Sequence, residues 1–143
     1  MITLKFIFTF LFIFVVFHFL ALYNFWYWEF RWLDMPMHFF GGFLIAMFFI
    51  WLNLRFKILS DYSNSRLSNY LITVLISLSF VSLIGVLWEF QEFLYDIFIS
   101  SKSSNIILQL SAADTIKDLF FDLLGGIVFL SVYLIKLKNP RLL

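Results

Sequence analysis

The amino-acid sequence predicts an all-α, polytopic membrane protein, a four-transmembrane-helix bundle with both termini cytoplasmic. Apolar residues make up 63% of the 143 positions, 22 residues are phenylalanine, and the mean hydropathy is +0.97. Four long runs carry few charges, and about 20 helical residues cross a hydrocarbon layer of roughly 30 Å. Lysine and arginine gather in alternate connections. A water-soluble protein of this length would not bury so many apolar residues, so the composition excludes a water-soluble fold.

The four predicted spans cover residues 2–28, 35–59, 67–99 and 114–137 and form a single transmembrane domain over residues 1–143. The first span is a retained anchor and not a signal peptide, because its long apolar run leads into NFWYWEFRW without a small-residue cleavage site. The third span exceeds what a bilayer requires, so it tilts or projects beyond the membrane. Residues 100–112, SSKSSNIILQLSA, are the long polar connector, which either follows the interface or folds back as a lid.

The basic residues set the predicted orientation, since lysine and arginine are enriched in short cytoplasmic loops. Seven fall on the side of the two termini and three on the other, so both termini are placed in the cytoplasm. Trp26, Trp28 and Trp32 then form an aromatic belt at the outer interface. The seven are Lys5, Arg55, Lys57, Arg66, Lys136, Lys138 and Arg141, and the three are Arg31, Lys102 and Lys117.

The composition excludes two further classes of function. The sequence contains no cysteine, so disulfides and thiolate metal sites are unavailable. Its net charge is +1, and its basic residues are spread over short loops. Nucleic-acid binding needs clustered basic residues, so we expect no nucleic-acid partner.

The acidic residues are concentrated on the predicted outer side of the membrane. Residues four apart on a helix lie about 40° apart around the axis and about 6 Å along it, so Asp114, Asp118 and Asp122 form one stripe. Asp34 and His38 repeat this spacing in the second span. Eight of the nine acids map to this side: Glu29, Asp34, Glu89, Glu92, Asp96, Asp114, Asp118 and Asp122, with Asp61 on the other.

The outer halves of three spans therefore carry carboxylates at similar depth. A charge at the centre of a membrane helix costs about 2.5 to 3.5 kcal/mol on insertion scales, so these groups must face one another. Carboxylates in one compartment repel unless they are protonated or surround a cation, and the neighbouring histidine favours a divalent metal ion. Such ligands suit Mg, Mn, Fe, Ca or Zn, and two ions also fit. The predicted ligands are His38, Glu89, Glu92, Asp118, Asp122, Asp34 and Asp114, supported by His18, Asp96, Trp88 and Thr115.

Several of these residues also have a simpler explanation. Ser111 and Asp114 have the spacing of a capping box, so Asp114 could serve only the start of the fourth span. Asp34 precedes Pro36 by two residues and fits an N-cap. The acids deeper in their helices are not explained by caps. For them the structural alternative is an interhelical hydrogen-bond network among protonated carboxyl groups.

The remaining polar and small residues have structural interpretations. Glu29 and Asp96 lie near the membrane surface, where solvation suffices. His18 lies near mid-membrane by residue count, and we interpret it as a hydrogen-bonding partner, not a ligand. The glycines of the spans predict close approach of helix backbones, and they are Gly41, Gly42, Gly85, Gly125 and Gly126.

Three short motifs together resemble a known family. They are D-x-x-x-H from Asp34 to His38, W-E-x-x-E from Trp88 to Glu92, and D-T-x-x-D-x-x-x-D-x-x-G from Asp114 to Gly125. Over about residues 30–130 the chain resembles the YjdF family of bacterial inner-membrane proteins of unknown function. The resemblance implies a bacterial origin and a location in the cell (inner) membrane.

The motifs are also similar to those of VanZ-like proteins, in which an Asp and a His open one helix, E-x-x-Q lies in another and D-x-x-x-N-x-x-G in the last. Glu89, Asp118 and Gly125 match that pattern, whereas Glu92 replaces its Gln and Asp122 its Asn. This chain is the more acidic version, which favours a metal ion. The resemblance implies a protein of the cell envelope, and it does not indicate which reaction, if any, the protein catalyses.

Three functions fit these observations. The first is an intramembrane, metal-dependent enzyme that acts near the outer leaflet on a lipid or a lipid-linked envelope precursor, with membrane lipid as its partner. The second is transport or sensing of a divalent cation or of protons. The third is a non-catalytic module that binds a lipid or a partner protein. The sequence does not specify the oligomeric state.

Overall fold

The computed structural model describes residues 3–59, 65–100, 107–109 and 111–138. Within these ranges the chain forms helices and short connections, and four helices are long and apolar enough to cross a membrane. The predicted all-α fold class and the four helices of membrane-spanning length are thereby confirmed. The membrane-length segments are Leu4–Tyr23, Arg31–Phe56, Arg66–Ser100 and Ala112–Leu137.

The described residues contain five α-helices, of which the second is a single turn. A 3₁₀ turn, Arg31–Leu33, leads into the third helix, and a π-helical turn, Asp96–Ser100, extends the fourth. The 30 residues of the fourth helix rise about 45 Å, more than the roughly 30 Å of a hydrocarbon layer. In chain order the helices are α1 (Leu4–Tyr23), α2 (Trp26–Glu29), α3 (Asp34–Phe56), α4 (Arg66–Tyr95) and α5 (Ala112–Lys138).

The first helix is shorter than predicted. It ends at Tyr23 and not at residue 28, because Phe25 takes a left-handed backbone conformation with φ 60° and breaks the helix before α2 begins. In this region Asn24 alone separates Tyr23 from the aromatic run that follows, and one polar residue did not mark the end of the helix in the predicted span. At the far end of α3 a second left-handed residue, Lys57 with φ 51°, ends the helix before the predicted residue 59.

Local hydrogen bonds explain where the helices start. The Ser111 hydroxyl accepts a hydrogen bond from the Asp114 amide at 3.1 Å, which confirms the Ser111 half of the predicted capping box, whereas the Asp114 carboxylate pairs with Lys117. The predicted N-cap role of Asp34 is wrong. The preceding residue, Leu33, is already helical, and Asp34 lies inside the first turn of α3 without a capping bond from its side chain.

The bundle is organised around α3, which packs most extensively against α5 and also contacts α4 and α1. Met47 and Ile50 of α3, Val81 of α4 and Leu130 of α5 are almost completely buried in the shared core. By contrast, α1 packs mainly on α3 and α2, and most of its apolar side chains are exposed. The outward apolar surface is what a helix in contact with lipid requires.

Two glycines allow α3 and α5 to approach backbone to backbone. A Cβ atom on Gly42 would overlap the main chain of Asp122, and one on Gly125 would overlap the carbonyl of Phe39. The predicted close approach of helices at glycine is therefore confirmed at these positions. Because the two contacts are reciprocal, they fix the register between α3 and α5 at the level of His38 and Asp122.

Candidate functional site

The buried ionisable side chains of the described residues meet where α3, α4 and α5 converge. His38, Glu89, Asp118 and Asp122 are each at most 7% exposed, although the predicted membrane depth offers them no water. His38 lies one turn before Gly42, and Asp122 lies three residues before Gly125. The close crossing of α3 and α5 thus brings the imidazole and the carboxylate together.

The His38 ring uses its two nitrogens differently. Nδ1 lies 3.3 Å from Asp122 Oδ2, within hydrogen-bonding distance. Nε2 lies 3.7 Å from Asp34 Oδ1 and 4.0 Å from Glu89 Oε1, which is too far for a hydrogen bond to either. The imidazole therefore has one bonded side and one side that faces carboxylates across a gap.

Asp118 completes the group around this gap. Asp34, His38 and Asp118 each offer one ligand atom, and these atoms lie within 4.8 Å of one another. Asp118 lies one turn before Asp122 on α5, so two members of the predicted acidic stripe face α3. This arrangement is the possible metal-holding group that the described residues contain.

Two buried oxygens in the group lack a hydrogen-bond partner among the described residues, namely Glu89 Oε1 and Asp118 Oδ1. The ammonium of Lys117 approaches Asp118 Oδ1 only to 3.9 Å. An orphaned buried acceptor loses its hydration without compensation, at a cost of about 1 to 3 kcal/mol or more for a charged group. Both oxygens are thus available to a cation.

Two of the predicted ligands have other partners in the structure. Glu92 accepts a hydrogen bond at 2.9 Å from the indole of Trp88, one turn earlier on α4. Asp114 forms an ion pair with Lys117 on the same helix. Neither carboxylate belongs to the Asp34, His38 and Asp118 group.

The polar residues expected to support the ligands form two neighbouring networks. His18 Nδ1 lies 2.8 Å from the hydroxyl of Tyr27, and its ring stands edge-on to Trp88 with centroids 5.3 Å apart. His18 thus has a hydrogen-bonding partner, the Tyr27 hydroxyl, as its interpretation requires. In the second network, the Gln109 amide donates to the Thr115 hydroxyl at 3.0 Å, and both side chains lie near Glu89.

Asp96 holds part of the connector against the end of α4. Its two carboxylate oxygens accept hydrogen bonds of 2.9 Å from the backbone amides of Leu108 and Gln109. The interpretation of Asp96 as solvated surface is therefore wrong, whereas Glu29 is exposed as expected. Residues 107–109 fold back onto the helix ends, where the Trp28 indole donates to the Ile107 carbonyl at 3.1 Å. The other part of the connector, residues 101–106 and 110, lies outside the described residues.

A cavity of about 1180 Å³ adjoins the acidic group. Its walls come from α1, α3, α4 and α5 and from residues 107 and 108, and it is apolar toward the middle of α1 and polar toward α2. Asp34, His38 and Asp122 reach its surface, and Glu92 and Trp88 line it nearby. The centre is thus accessible from a chamber large enough for a ligand of substantial size.

Sequence reasoning missed Tyr27 and Gln109. Tyr27 lies between two tryptophans of the predicted aromatic belt and was assigned no role, and Gln109 lies in a connector whose fold was left open. Burial, together with the charges of Asp34 and Glu92, raises the pKa of the Tyr27 phenol above its usual value. Tyr27 is consequently a neutral hydroxyl that can donate to His18.

Comparisons with known proteins bear on this geometry. No curated protein and no solved structure matches the chain significantly. One family model, described as predicted membrane protein (DUF2238), matches residues 3–139, nearly the whole length. That match includes all three motifs from which the YjdF resemblance was drawn. The chain therefore belongs to the DUF2238 family of predicted membrane proteins.

Proposed function

We propose that this protein binds a divalent metal ion inside the membrane, with His38 Nε2, Asp34 and Asp118 as ligands and Glu89 as a further donor. The observation that carries the proposal is the gap between His38 Nε2 and the carboxylate oxygens, 3.7 Å to Asp34 and 4.0 Å to Glu89. Ligands at about 2.0 to 2.6 Å from one ion lie about 3 to 5 Å from each other. The gap suits a shared ion and is too wide for hydrogen bonds.

The orphaned oxygens support the same proposal. Glu89 Oε1, which lies 4.0 Å from His38 Nε2, and Asp118 Oδ1 are buried without a hydrogen-bond donor among the described side chains. A divalent cation would neutralise two carboxylates and satisfy both oxygens at once. The structural alternative, a network of protonated carboxyl groups, would instead place these oxygens on donors.

Asp122 has a positioning role in this scheme. Metal-bound histidines commonly donate their second N–H to a carboxylate, which selects the tautomer and orients the ring. Asp122 Oδ2 lies 3.3 Å from His38 Nδ1 and can accept this hydrogen bond. The lone pair of Nε2 then points toward the ion. Glu92 and Asp114, which have partners of their own, fall outside this ligand set. The ligands do not select among Mg, Mn, Fe, Ca and Zn.

We further propose that the metal centre acts on a lipid or a lipid-linked envelope precursor. A metal ion polarises an ester or phosphoryl group and lowers the pKa of a bound water. The adjoining cavity would admit the substrate, and Glu92, which lines it without being a ligand, is the proposed general base.

We place the protein in a bacterial cell membrane with the site toward the outer leaflet and the termini in the cytoplasm. The support is the uneven distribution of lysine and arginine along the sequence and the VanZ-like pattern of the motifs. Cysteine-accessibility labelling suits this question, because the sequence contains no native cysteine. A cysteine introduced near Lys5 is expected to resist a membrane-impermeant maleimide in intact cells, whereas one introduced near Trp28 is expected to react.

Elemental analysis tests the metal centre. The full-length protein, purified in detergent and offered each candidate ion in turn, is expected to retain at least one stoichiometric ion after gel filtration. Asp118→Asn is expected to lose it, whereas the matched control Asp114→Asn on the same helix keeps it, because Asp114 pairs with Lys117. Failure of the wild-type protein to retain any ion would overturn the proposal. Flux of the ion into proteoliposomes would favour the transport function instead.

A further inference from the structure

The large cavity is a cleft between α1 and the three-helix core. Its walls include Leu11 and Val15 on α1 and Ile84 and Trp88 on α4. The packing of α1 is mainly on α3 and α2, and α1 meets α4 near the α2 end of the cleft, where the ring centroids of His18 and Trp88 lie 5.3 Å apart. Away from that contact, the lining residues Leu11 and Val15 are each 38% exposed, which fits an opening of the cleft toward the hydrocarbon of the bilayer.

The length of the cleft matches one leaflet. Along α1 its lining runs from Leu11 to Tyr23, which is about 18 Å of helix. A single leaflet contributes about half of a hydrocarbon layer of roughly 30 Å. Its inner end is apolar, with Leu11, Phe14 and Val15 on α1 opposite Leu44 on α3. A chain from one leaflet therefore fits with its tail at this end and its head near α2.

The head end carries charges of both signs, which restricts the occupant. Arg31 and Lys117 line it together with Asp34 and Glu92. An anionic head group would face the carboxylates, and a cationic one would face the two basic side chains and the metal ion. An uncharged head group with many hydroxyls avoids both conflicts, and it can donate to carboxylates and accept from basic groups.

Aromatic rings at this end add a second argument for hydroxyl-bearing rings. Tyr27, Trp28 and Trp88 all line the head end of the cleft. The faces of aromatic rings carry partial negative charge and attract the weakly positive C–H groups of a sugar ring. Carboxylates accept hydrogen bonds from sugar hydroxyls, and aromatic rings pack against the C–H face of the sugar, so the two together suit sugar binding.

We infer that the cleft binds one membrane lipid whose head group is an uncharged sugar, with a chain along α1 and the head against the metal centre. The inference rests on the proposed function, which it deepens by naming the substrate class as a glycolipid. It assigns Val15 to chain binding and Trp88 to head-group binding.

Lipid retention in nanodiscs tests the inference. The full-length protein, purified in a detergent without sugar, is placed in phosphatidylcholine nanodiscs that contain equal amounts of a glucosyl diacylglycerol, phosphatidylglycerol and phosphatidylethanolamine. Native mass spectrometry then measures retained lipid, and elemental analysis measures metal in the same sample. We expect the glucosyl lipid to be retained about tenfold more than either phospholipid.

Two variants on α1 separate the cleft from general lipid contact. Val15→Trp fills the apolar end and is expected to lose the glucosyl lipid while keeping the metal. Phe12→Trp is the matched control, because Phe12 is 69% exposed on the outer face of α1 and does not line the cleft. If Val15→Trp does not fold, Ile84→Trp fills the same space from α4.

Each outcome bears on one of the two proposals. Preference for phosphatidylglycerol or phosphatidylethanolamine, or undiminished retention when the cleft is filled, would overturn the glycolipid inference. Metal without retained glucosyl lipid would overturn this inference alone and leave the proposed metal centre intact. Glucosyl lipid without metal would overturn the proposed metal centre and the contact between head group and ion.

Discussion

His38 and Asp122 form a buried pair between α3 and α5, with Nδ1 3.3 Å from Oδ2. The pair depends on the helix crossing at Gly42 and Gly125, because larger residues there would push the two backbones apart. With Nδ1 bonded to a carboxylate, Nε2 is the nitrogen available to the gap lined by Asp34. One interhelical hydrogen bond therefore connects the packing of the bundle to the chemistry of the site.

The first prediction concerns this pair. Asp122→Asn preserves the shape of the side chain but offers an amide in place of a carboxylate, so the ring loses its anchor and its preferred tautomer. Loss of such a partner typically lowers metal affinity by about 10- to 100-fold. Competition with a fluorescent chelator measures the affinity. Asp114→Asn, on the same helix, is the control and is expected to keep the wild-type value, and equal affinities for all three proteins would contradict the positioning role.

The second prediction concerns the helix crossing. Gly125→Ala places a methyl group against the Phe39 carbonyl, so α5 must move away from α3. Overpacking of this kind costs about 1 to 3 kcal/mol, and we expect a lower thermal unfolding midpoint by tryptophan fluorescence. Gly41→Ala is the matched control, because its added Cβ meets Phe14 at 3.7 Å and Asp122 at 3.8 Å, which are ordinary contacts. Equal midpoints for the two variants would show that the crossing tolerates a side chain.

Helical spacing was sufficient to predict much of the site. The i to i+4 pair of Asp34 and His38 and the stripe on α5 indicated which side chains share a face, and the cost of charge in a membrane indicated that they meet. Spacing could not separate Asp122 from Asp118, which play different parts around His38. That distinction depends on which carboxylate faces which ring nitrogen, and only the helix crossing sets it.

The parts that sequence reasoning missed depend on single backbone conformations and on pairings distant in the chain. The break at Phe25 follows from one left-handed residue in a run of aromatic side chains, and it allows Tyr27 to turn back onto His18. The bonds between Asp96 and residues 107–109 join segments whose relation no periodic pattern encodes. The position of Asp96 near the predicted membrane surface suggested that its carboxylate is solvated. Position along the chain does not reveal the hydrogen bonds that the carboxylate accepts from residues 108 and 109.

The third prediction concerns the connector. Asp96 accepts two backbone hydrogen bonds, from Leu108 and Gln109, and hydrogen bonds to a charged group contribute about 1.5 to 3 kcal/mol. Asp96→Ala removes both acceptors, so amide hydrogen exchange at these two residues is expected to accelerate by about tenfold or more. Glu29→Ala, which removes an exposed carboxylate near the same surface, is expected to leave these rates unchanged. Unchanged exchange in Asp96→Ala would mean that other contacts hold the connector.

The fourth prediction concerns pH. The pKa of Tyr27 is raised by burial and by the charges of Asp34 and Glu92, so the folded protein keeps the phenol proton at a pH where the unfolded chain loses it. The folded state therefore binds more protons, and the stabilisation is complete below the ordinary tyrosine pKa of about 10 and is lost as pH rises above it. We expect the unfolding midpoint of the wild-type protein to fall between about pH 9 and pH 11 more steeply than that of Tyr27→Phe. Tyr23→Phe, at a side chain that is 82% exposed, is the control and should follow the wild-type curve. Parallel curves for wild type and Tyr27→Phe would contradict the assignment of Tyr27 as a half-buried, neutral donor to His18.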